Sequence, residues 1–324
     1  RICSRAINPA PTIPKRSASA MTDLSRSIPT VRRLGKTGLE VSAMAWGMWR
    51  FAGDDLDAAT ARVEAALDAG INFFDTADIY GAGGGGGFGG AEALLGRVFA
   101  RAPSLRKGIV LATKGGIQMG VPYNSSAGYL IAACEASLRR MGVDRVELYQ
   151  IHRPDSLAHP AEVAAAFDKL RAAGKIAEAG VSNYSPPQVA ALRAHLPFEL
   201  ASTQPEFSAL AIAPLSDGVL DQAMEVGLGV MAWSPLGGGR LGGASDDPRV
   251  NAVAAALDEI AQRQGVSRAS VAYAWIMAHP SAPIAIVGSQ RPERIAQSIE
   301  ALKVRLSRAE WYAVLTASRG ERLP

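Results

Sequence analysis

The sequence predicts an α/β fold: a (β/α)8 TIM barrel with an N-terminal hairpin and extra C-terminal helices. Two observations carry this reading. Short apolar runs alternate with helical segments along most of the 324 residues, which is the pattern of parallel α/β folds. Three of the runs also end in a chemically capable group. Asn72-Phe73-Phe74-Asp75 ends in an acid and is followed by Tyr80, Ile109 to Thr113 runs into Lys114, and Val146 to Ile151 runs into His152. In such a barrel all strand ends open on one mouth, where the chemistry sits.

The elements follow in order. Val31 to Val41, with Lys36-Thr37-Gly38 at its turn, reads as a hairpin. Strand Ser42–Trp46 then leads to helix Ala58–Asp68, Asn72–Asp75 to Ala91–Phe99, and Ile109–Lys114 to Ala127–Met141. Strand Val146–Ile151 precedes helix Ala161–Ala173, Ala177–Ser182 precedes Pro187–His195, and Leu200–Gln204 precedes Gly218–Val226. Strand Gly229–Ser234 is followed by a long loop and helices near Asn251–Gln264 and Ser270–Ala278. Strand Pro283–Val287, helix Pro292–Leu302 and a further helix near Arg308–Ser318 close the chain. Ala and Leu recur at helical spacing in the helices, as packing faces require.

Composition agrees with a globular enzyme: 48% hydrophobic and 20% charged residues. No apolar run reaches the length needed to cross a bilayer, so no membrane partner is expected. Cys3 and Cys134 lie far apart, which argues against a disulfide framework and for a reducing, cytoplasmic setting. The excess of positive charge is local. Arg1, Arg5, Lys15 and Arg16 precede the first acid; removing these 4 from 34 basic residues leaves 30 against 30 acidic ones. A nucleic-acid footprint needs clustered charge on the folded body, so no nucleic-acid partner is expected. Residues 1–28 are read as a leader or tail outside the barrel, which is assigned to 29–324. The leader is sequence ahead of a start at Met21 or, alternatively, a transit peptide rich in Arg and Ser, which would imply organellar import.

Asp75, Tyr80, Lys114 and His152 together suggest proton transfer. A tyrosine with a free pKa near ~10 is a weak acid at neutral pH, and a neighbouring lysine cation favours its phenolate. An aspartate beside that lysine holds it in place and charged. A neutral histidine can hydrogen-bond the carbonyl oxygen that the phenol protonates.

At these residues the chain resembles the aldo-keto reductase superfamily, which places an Asp, Tyr, Lys and His tetrad on a TIM barrel. The matching motifs are Phe74 to Gly81, Ala112-Thr113-Lys114-Gly115, Ile151-His152-Arg153-Pro154-Asp155, Gly180-Val181-Ser182-Asn183-Tyr184, Trp233-Ser234-Pro235-Leu236 and Val287-Gly288-Ser289 with Arg294. They run in family order over roughly residues 31 to 303. The chain is most similar to the bacterial subgroup carrying His-Arg-Pro-Asp and Trp-Ser-x-Leu-Gly-Gly-Gly-Arg. The resemblance implies reversible reduction of a small aldehyde or ketone with NADPH, NADH being the weaker candidate. It implies that Ser182, Asn183 and Gln204 bind the nicotinamide carboxamide and that Trp233 stacks on its ring. Ser234, Leu236 and Gly238 are expected around the pyrophosphate, and Ser289 and Arg294 at the adenosine 2′-phosphate. Gly47, Met48 and Asp75 complete the expected cofactor contacts, and the hairpin is expected to close the barrel bottom.

Several features depart from the pattern. Gly288 stands where several subgroups have a lysine, which weakens the preference for NADPH. Arg153 stands where many relatives place a tryptophan, and it is expected to pair with Asp155 or, alternatively, to face the mouth. The eight glycines among residues 81–90 match a dinucleotide fingerprint by composition alone. With no acid at the end of a following strand, the stretch reads as a loop over the mouth.

Two rival functions stay in view: a nicotinamide-binding regulatory subunit with little turnover, and a Schiff-base aldolase using Lys114, which needs an uncharged lysine. No metal site is expected, because His152, His159, His195 and His279 form no ligand-spaced pair. Oligomeric state and physiological substrate are left open.

Overall fold

The computed structural model describes residues 28–83 and 86–323; the expected leader, up to residue 27, lies outside the described residues. The chain opens with an antiparallel hairpin, β1 (Val31–Arg33) and β2 (Glu40–Ser42). Eight parallel strands then close into a barrel: β3 (Met44–Gly47), β4 (Phe73–Asp75), β5 (Val110–Gly115), β6 (Val146–Ile151), β7 (Ile176–Ser182), β8 (Ser202–Gln204), β9 (Gly229–Ala232) and β10 (Ile284–Val287). Each pairs with its sequence neighbours, and β10 returns to β3 through Ala285 opposite Met44.

Helices form the outer layer: α1 (Leu56–Asp68), α2 (Gly90–Arg101), α3 (Pro103–Arg106), α4 (Ala127–Met141), α5 (Pro160–Ala172), α6 (Pro186–Arg193), α7 (Val219–Val226), α8 (Pro248–Gln264), α9 (Arg268–Met277), α10 (Pro292–Ser298) and α11 (Arg308–Arg319). Among the described residues no helix is long and apolar enough to cross a membrane.

The expected elements are present with small shifts at their ends, each with a local cause. Helix α1 begins at Leu56, two residues early, because the Asp55 carboxylate accepts from the Asp57 and Ala58 amides. Pro160 opens α5 because His159 caps it, its ring nitrogen accepting from Ala161 N. The single helix expected over Pro292–Leu302 is α10 followed by a 3-10 turn, Ile299–Lys303. Where they meet, the Ser298 hydroxyl donates to Ile295 O at 2.7 Å, a local bond that competes with helix continuation. The short helix α3 went unanticipated.

Two-residue periodicity builds the barrel interior, since alternate residues of a strand point the same way. Ala45, Phe73, Ala112, Leu148, Met231 and Ile284 form a buried apolar layer, joined from below by Leu34 and Val41 of the hairpin. The hairpin therefore closes the bottom. Gly35, at φ +58°, presses so closely on the barrel that a Cβ there would lie 2.5 Å from Ala201 O. Ser42 ties hairpin to barrel: its amide donates to Asn72 Oδ1 at 2.7 Å, and its Oγ accepts from Asn72 N and Phe73 N. Two residues further along the chain from Phe73, Ala112, Leu148 and Met231 stand Asp75, Lys114, Gln150 and Trp233, the last just past the end of β9.

Outside the barrel, Trp275 of α9 and Trp311 of α11 stack with centroids 5.0 Å apart. Each indole N–H donates to the other's carbonyl at 2.9 Å. Trp311→Phe leaves the buried Trp275 carbonyl without its donor and should lower stability by about 1–3 kcal/mol. Urea unfolding is the measurement; an unchanged midpoint would show that this reciprocal pair does not hold the C-terminal helix.

Candidate active site

The path of the chain after β4 sets the site. Thr76 N donates to Ala112 O at 2.9 Å and Asp78 N to Lys114 O at 3.0 Å, so the segment keeps bonding to β5 beyond the strand. A turn closed by Tyr80 N on Ala77 O then brings the Tyr80 ring back over the barrel. There the Lys114 ammonium meets three acceptors: Asp75 Oδ2 at 2.7 Å, Thr76 O at 2.9 Å and Tyr80 OH at 3.2 Å. An ammonium has three protons to donate, and each has a partner. Lys114 is 0% exposed. Asp75 Oδ1 accepts from Gln204 Nε2 at 3.0 Å and lies 3.5 Å from Gln150 Nε2. The His152 ring stands edge-on to Tyr80, centroids 5.7 Å apart. Asp75, Tyr80, Lys114 and His152 are thus brought together.

Electrostatics assign their protonation. Burial works against the Lys114 cation, yet the Asp75 charge and the bonds to Asp75 and Tyr80 outweigh it and raise the pKa. Burial, with the Lys114 and Arg153 charges, pushes His152 well below the usual histidine range, so its imidazole is neutral. For Tyr80 the sequence expectation is corrected: burial and the Asp75 charge raise its pKa on balance, although Lys114 pulls it down. A phenol in so dry a site holds its proton more tightly than one in water.

The residues expected around a cofactor fall into three groups. Ser182, Asn183, Gln204 and Trp233 form one hydrogen-bonded chain. Trp233 Nε1 donates to Asn183 Oδ1 at 3.0 Å, Asn183 Nδ2 to Ser182 Oγ at 2.8 Å, and Ser182 Oγ to Gln204 O at 2.9 Å. The Gln204 carboxamide is itself bound to Asp75, which the sequence did not reveal. Asn183 (φ +60°) and Ser234 (φ +51°) hold left-handed backbone, the kind of strain that clusters at binding sites.

The second group, Ser234, Leu236 and Gly238, lies on the turn after β9. Gly238 and Gly239 there have φ +73° and +99°, and a Cβ on either would meet nothing within 4 Å. This bare, open backbone suits the approach of an anionic group. The third group lies beside β3 and β10. Gly47 and Met48 are buried, and the Gly47 carbonyl accepts from Gln290. Ser289 O accepts from Trp46 Nε1 at 2.9 Å. Arg294 is exposed on the first turn of α10, without an ion-pair partner among the described residues. Met48 N donates to Asp75 O at 2.9 Å, which ties this group through the backbone to the base of the tetrad.

The expected Arg153–Asp155 pair is not formed. Asp155 instead accepts from the Ser125 amide at 2.8 Å and the Leu157 amide at 2.9 Å. Arg153 lies over the Trp233 ring, its guanidinium carbon 5.4 Å from the centroid. Trp49, 60% exposed, also went unforeseen; it stands edge-on to Tyr80 at 5.1 Å. Gln150 could have been found, since it sits two residues before His152 on the same inward face.

A buried acid cluster lies behind the tyrosine turn. Glu92 accepts from Thr113 Oγ1 and, at 2.7 Å, from Arg140 Nε. Asp78 beside it accepts no side-chain hydrogen bond of good geometry among the described residues. Burial first, then the Glu92 charge, pushes its carboxyl up to about 8. An unfolded aspartate titrates near ~3.9, so the folded state binds the extra proton between these values. The stability this contributes is full below about pH 4 and is lost as pH rises through about 8. Asp78→Asn, which cannot ionise, should therefore gain on the parent as pH rises, by ~2 °C or more at pH 8.5. Melting curves from pH 5 to 9 that stay parallel would overturn this.

Three comparisons place the chain among known proteins. Residues 43–318 match the model of the aldo/keto reductase family. A 6-dehydroglucose reductase of Novosphingobium aromaticivorans is 56% identical over 298 residues, 91% of this chain and 98% of that protein. Another of that name, from Agrobacterium fabrum, is 38% identical, covering 87% of this chain and 96% of its own length. A solved thermostable aldo-keto reductase in complex with the inhibitor epalrestat has a TM-score of 0.75 at 24% identity, over 89% of this chain and 99% of that one. The family generally uses nicotinamide cofactors. With the barrel and the Asp75–Lys114–Tyr80 contacts described above, these matches show that the chain belongs to the aldo/keto reductase family of oxidoreductases.

Proposed function

We propose that the chain is an NADPH-dependent reductase that converts sugar-derived aldehydes to alcohols, with residues 29–324 as one catalytic unit working in the cytoplasm. The observation that carries the reading is the Lys114 ammonium, dry and bound at once to Asp75, Thr76 O and Tyr80. The two relatives named 6-dehydroglucose reductases support the substrate class.

Tyr80 is the proton donor. The carbonyl oxygen takes its phenolic proton, and the phenolate left behind is stabilised by the Lys114 charge at 3.2 Å. Asp75 keeps Lys114 protonated, which disfavours Schiff-base chemistry. Neutral His152 donates a hydrogen bond to the same carbonyl oxygen and orients it. The nicotinamide, when bound, supplies the hydride that completes the alcohol. Ser182, Asn183, Gln204 and Trp233 would hold its ring, with Gly47, Met48 and Asp75 lining the approach. Ser234, Leu236 and the open Gly238 backbone would hold the pyrophosphate, and Ser289 and Arg294 the 2′-phosphate. The expected partner is therefore a small carbonyl compound.

Tyr80→Phe should cut kcat about 10²- to 10⁴-fold while cofactor affinity stays nearly intact; NADPH-consumption assays with 6-dehydroglucose and simple aldehydes test this. Near-normal turnover in the variant would remove Tyr80 from its role. No turnover by the parent chain on any carbonyl would favour a regulatory, cofactor-binding role. Arg294→Ala should weaken NADPH binding by about 1.5–3 kcal/mol and barely change NADH. Equal losses for both cofactors in fluorescence titrations would show that Arg294 does not contact the 2′-phosphate.

A further inference from the structure

We infer that Arg153 is a specificity-determining residue that binds acceptor oxygens on the substrate chain beyond the carbonyl, favouring hydroxylated, sugar-like aldehydes over plain alkyl ones. The inference rests on the carbonyl-reductase reading and names what selects the substrate.

Arg153 directly follows His152 and is half-buried. Its guanidinium carbon lies over the Trp233 ring, 5.4 Å from the centroid, and Trp233 is itself tied to Asn183. The nearest acid on its own loop, Asp155, is occupied by two backbone amides. Among the described residues Arg153 forms neither an ion pair nor a hydrogen bond, although its charge acts on both Tyr80 and His152. Arg153 is half-buried and none of its nitrogens is a sealed atom without a partner, so they reach solvent.

A guanidinium has five N–H donors and no acceptor. It therefore recognises lone pairs, and a planar fork already held beside an indole loses less freedom in doing so. Trp49, edge-on to Tyr80 and largely exposed, adds an apolar surface at the same mouth. A donor-rich fork near an aromatic wall matches a molecule with hydroxyl oxygens along its edge and C–H groups on its face. A plain alkyl chain leaves the fork with only water.

The test compares kcat/KM for glyceraldehyde with that for propanal, and for succinic semialdehyde with that for butanal, in the parent, Arg153→Met and Arg153→Lys. Loss of the Arg153 charge also disturbs Tyr80 and His152, but that effect is common to all substrates and cancels in each ratio. The parent should prefer glyceraldehyde. In Arg153→Met the glyceraldehyde-to-propanal ratio should fall about 10-fold or more, the worth of a hydrogen bond to a charged group, and Arg153→Lys should be intermediate. An unchanged ratio overturns the inference. A fall confined to succinic semialdehyde also overturns it, in favour of a simple anion site.

Saturation-transfer NMR of D-glucose tests the same contact without turnover: transfer should be seen in the parent and lost in Arg153→Met, and its persistence there overturns the inference. If the parent reduces no aldehyde, the reductase reading fails, while the glucose measurement still decides the subsite.

Discussion

A lysine ammonium buried with no exposure inside a barrel is the constraint on which the rest of the site depends. Removing such a charge from water costs several kcal/mol unless its partners replace the lost hydration. Asp75 supplies the counter-charge, and Thr76 O and Tyr80 OH take the remaining protons. The far carboxylate oxygen would otherwise be stranded, and Gln204 satisfies it from across the barrel. Thus the ion pair commits one strand end after another: β4, β5 and β8 directly, and β6 through Gln150, whose Nε2 lies 3.5 Å from Asp75 Oδ1 and whose Oε1 accepts from Ser202 Oγ at 3.2 Å.

The same charge sets the chemistry around it. It holds the Tyr80 turn against β5, it disfavours an imidazolium at His152, and it offsets part of the burial that raises the Tyr80 pKa. A dry site makes the phenol a poorer acid at rest. In the proposed reaction it would also make the cation beside it more effective as negative charge develops on the tyrosine oxygen, because water does not screen the pair.

This polar layer stands on an apolar one. Phe73, Ala112, Leu148 and Met231 fill the barrel below it, and Leu34 and Val41 of the hairpin close the base. Polar side chains deep in the barrel are affordable because their bonds are nearly all made, with His152 Nδ1 a buried exception at the mouth. Behind the tyrosine turn the arrangement is less complete. Asp78 and Glu92 share the neighbourhood of one arginine, Arg140, and Asp78 answers by keeping its proton.

The barrel and the four residues Asp75, Tyr80, Lys114 and His152 were legible before folding because both are written in local pattern. Strand periodicity, helix periodicity and a polar residue ending each apolar run depend only on near neighbours, and so Asp75, Tyr80, Lys114 and His152 stood out. Helix ends such as Asp55 and His159 were blurred by a residue or two, since a cap is decided by one side chain meeting one amide. Contacts between residues far apart in the chain had to wait for the closed barrel. Gln204 spends its amide on Asp75, 129 positions away, burial overrides Lys114 in setting the Tyr80 pKa, and Asp155 is taken by the Ser125 amide. Arg153 is thereby left over Trp233. Charge pairing between neighbours in sequence is easily proposed, but the folded backbone chooses among acceptors by distance and desolvation, and neither is visible until the strands have closed.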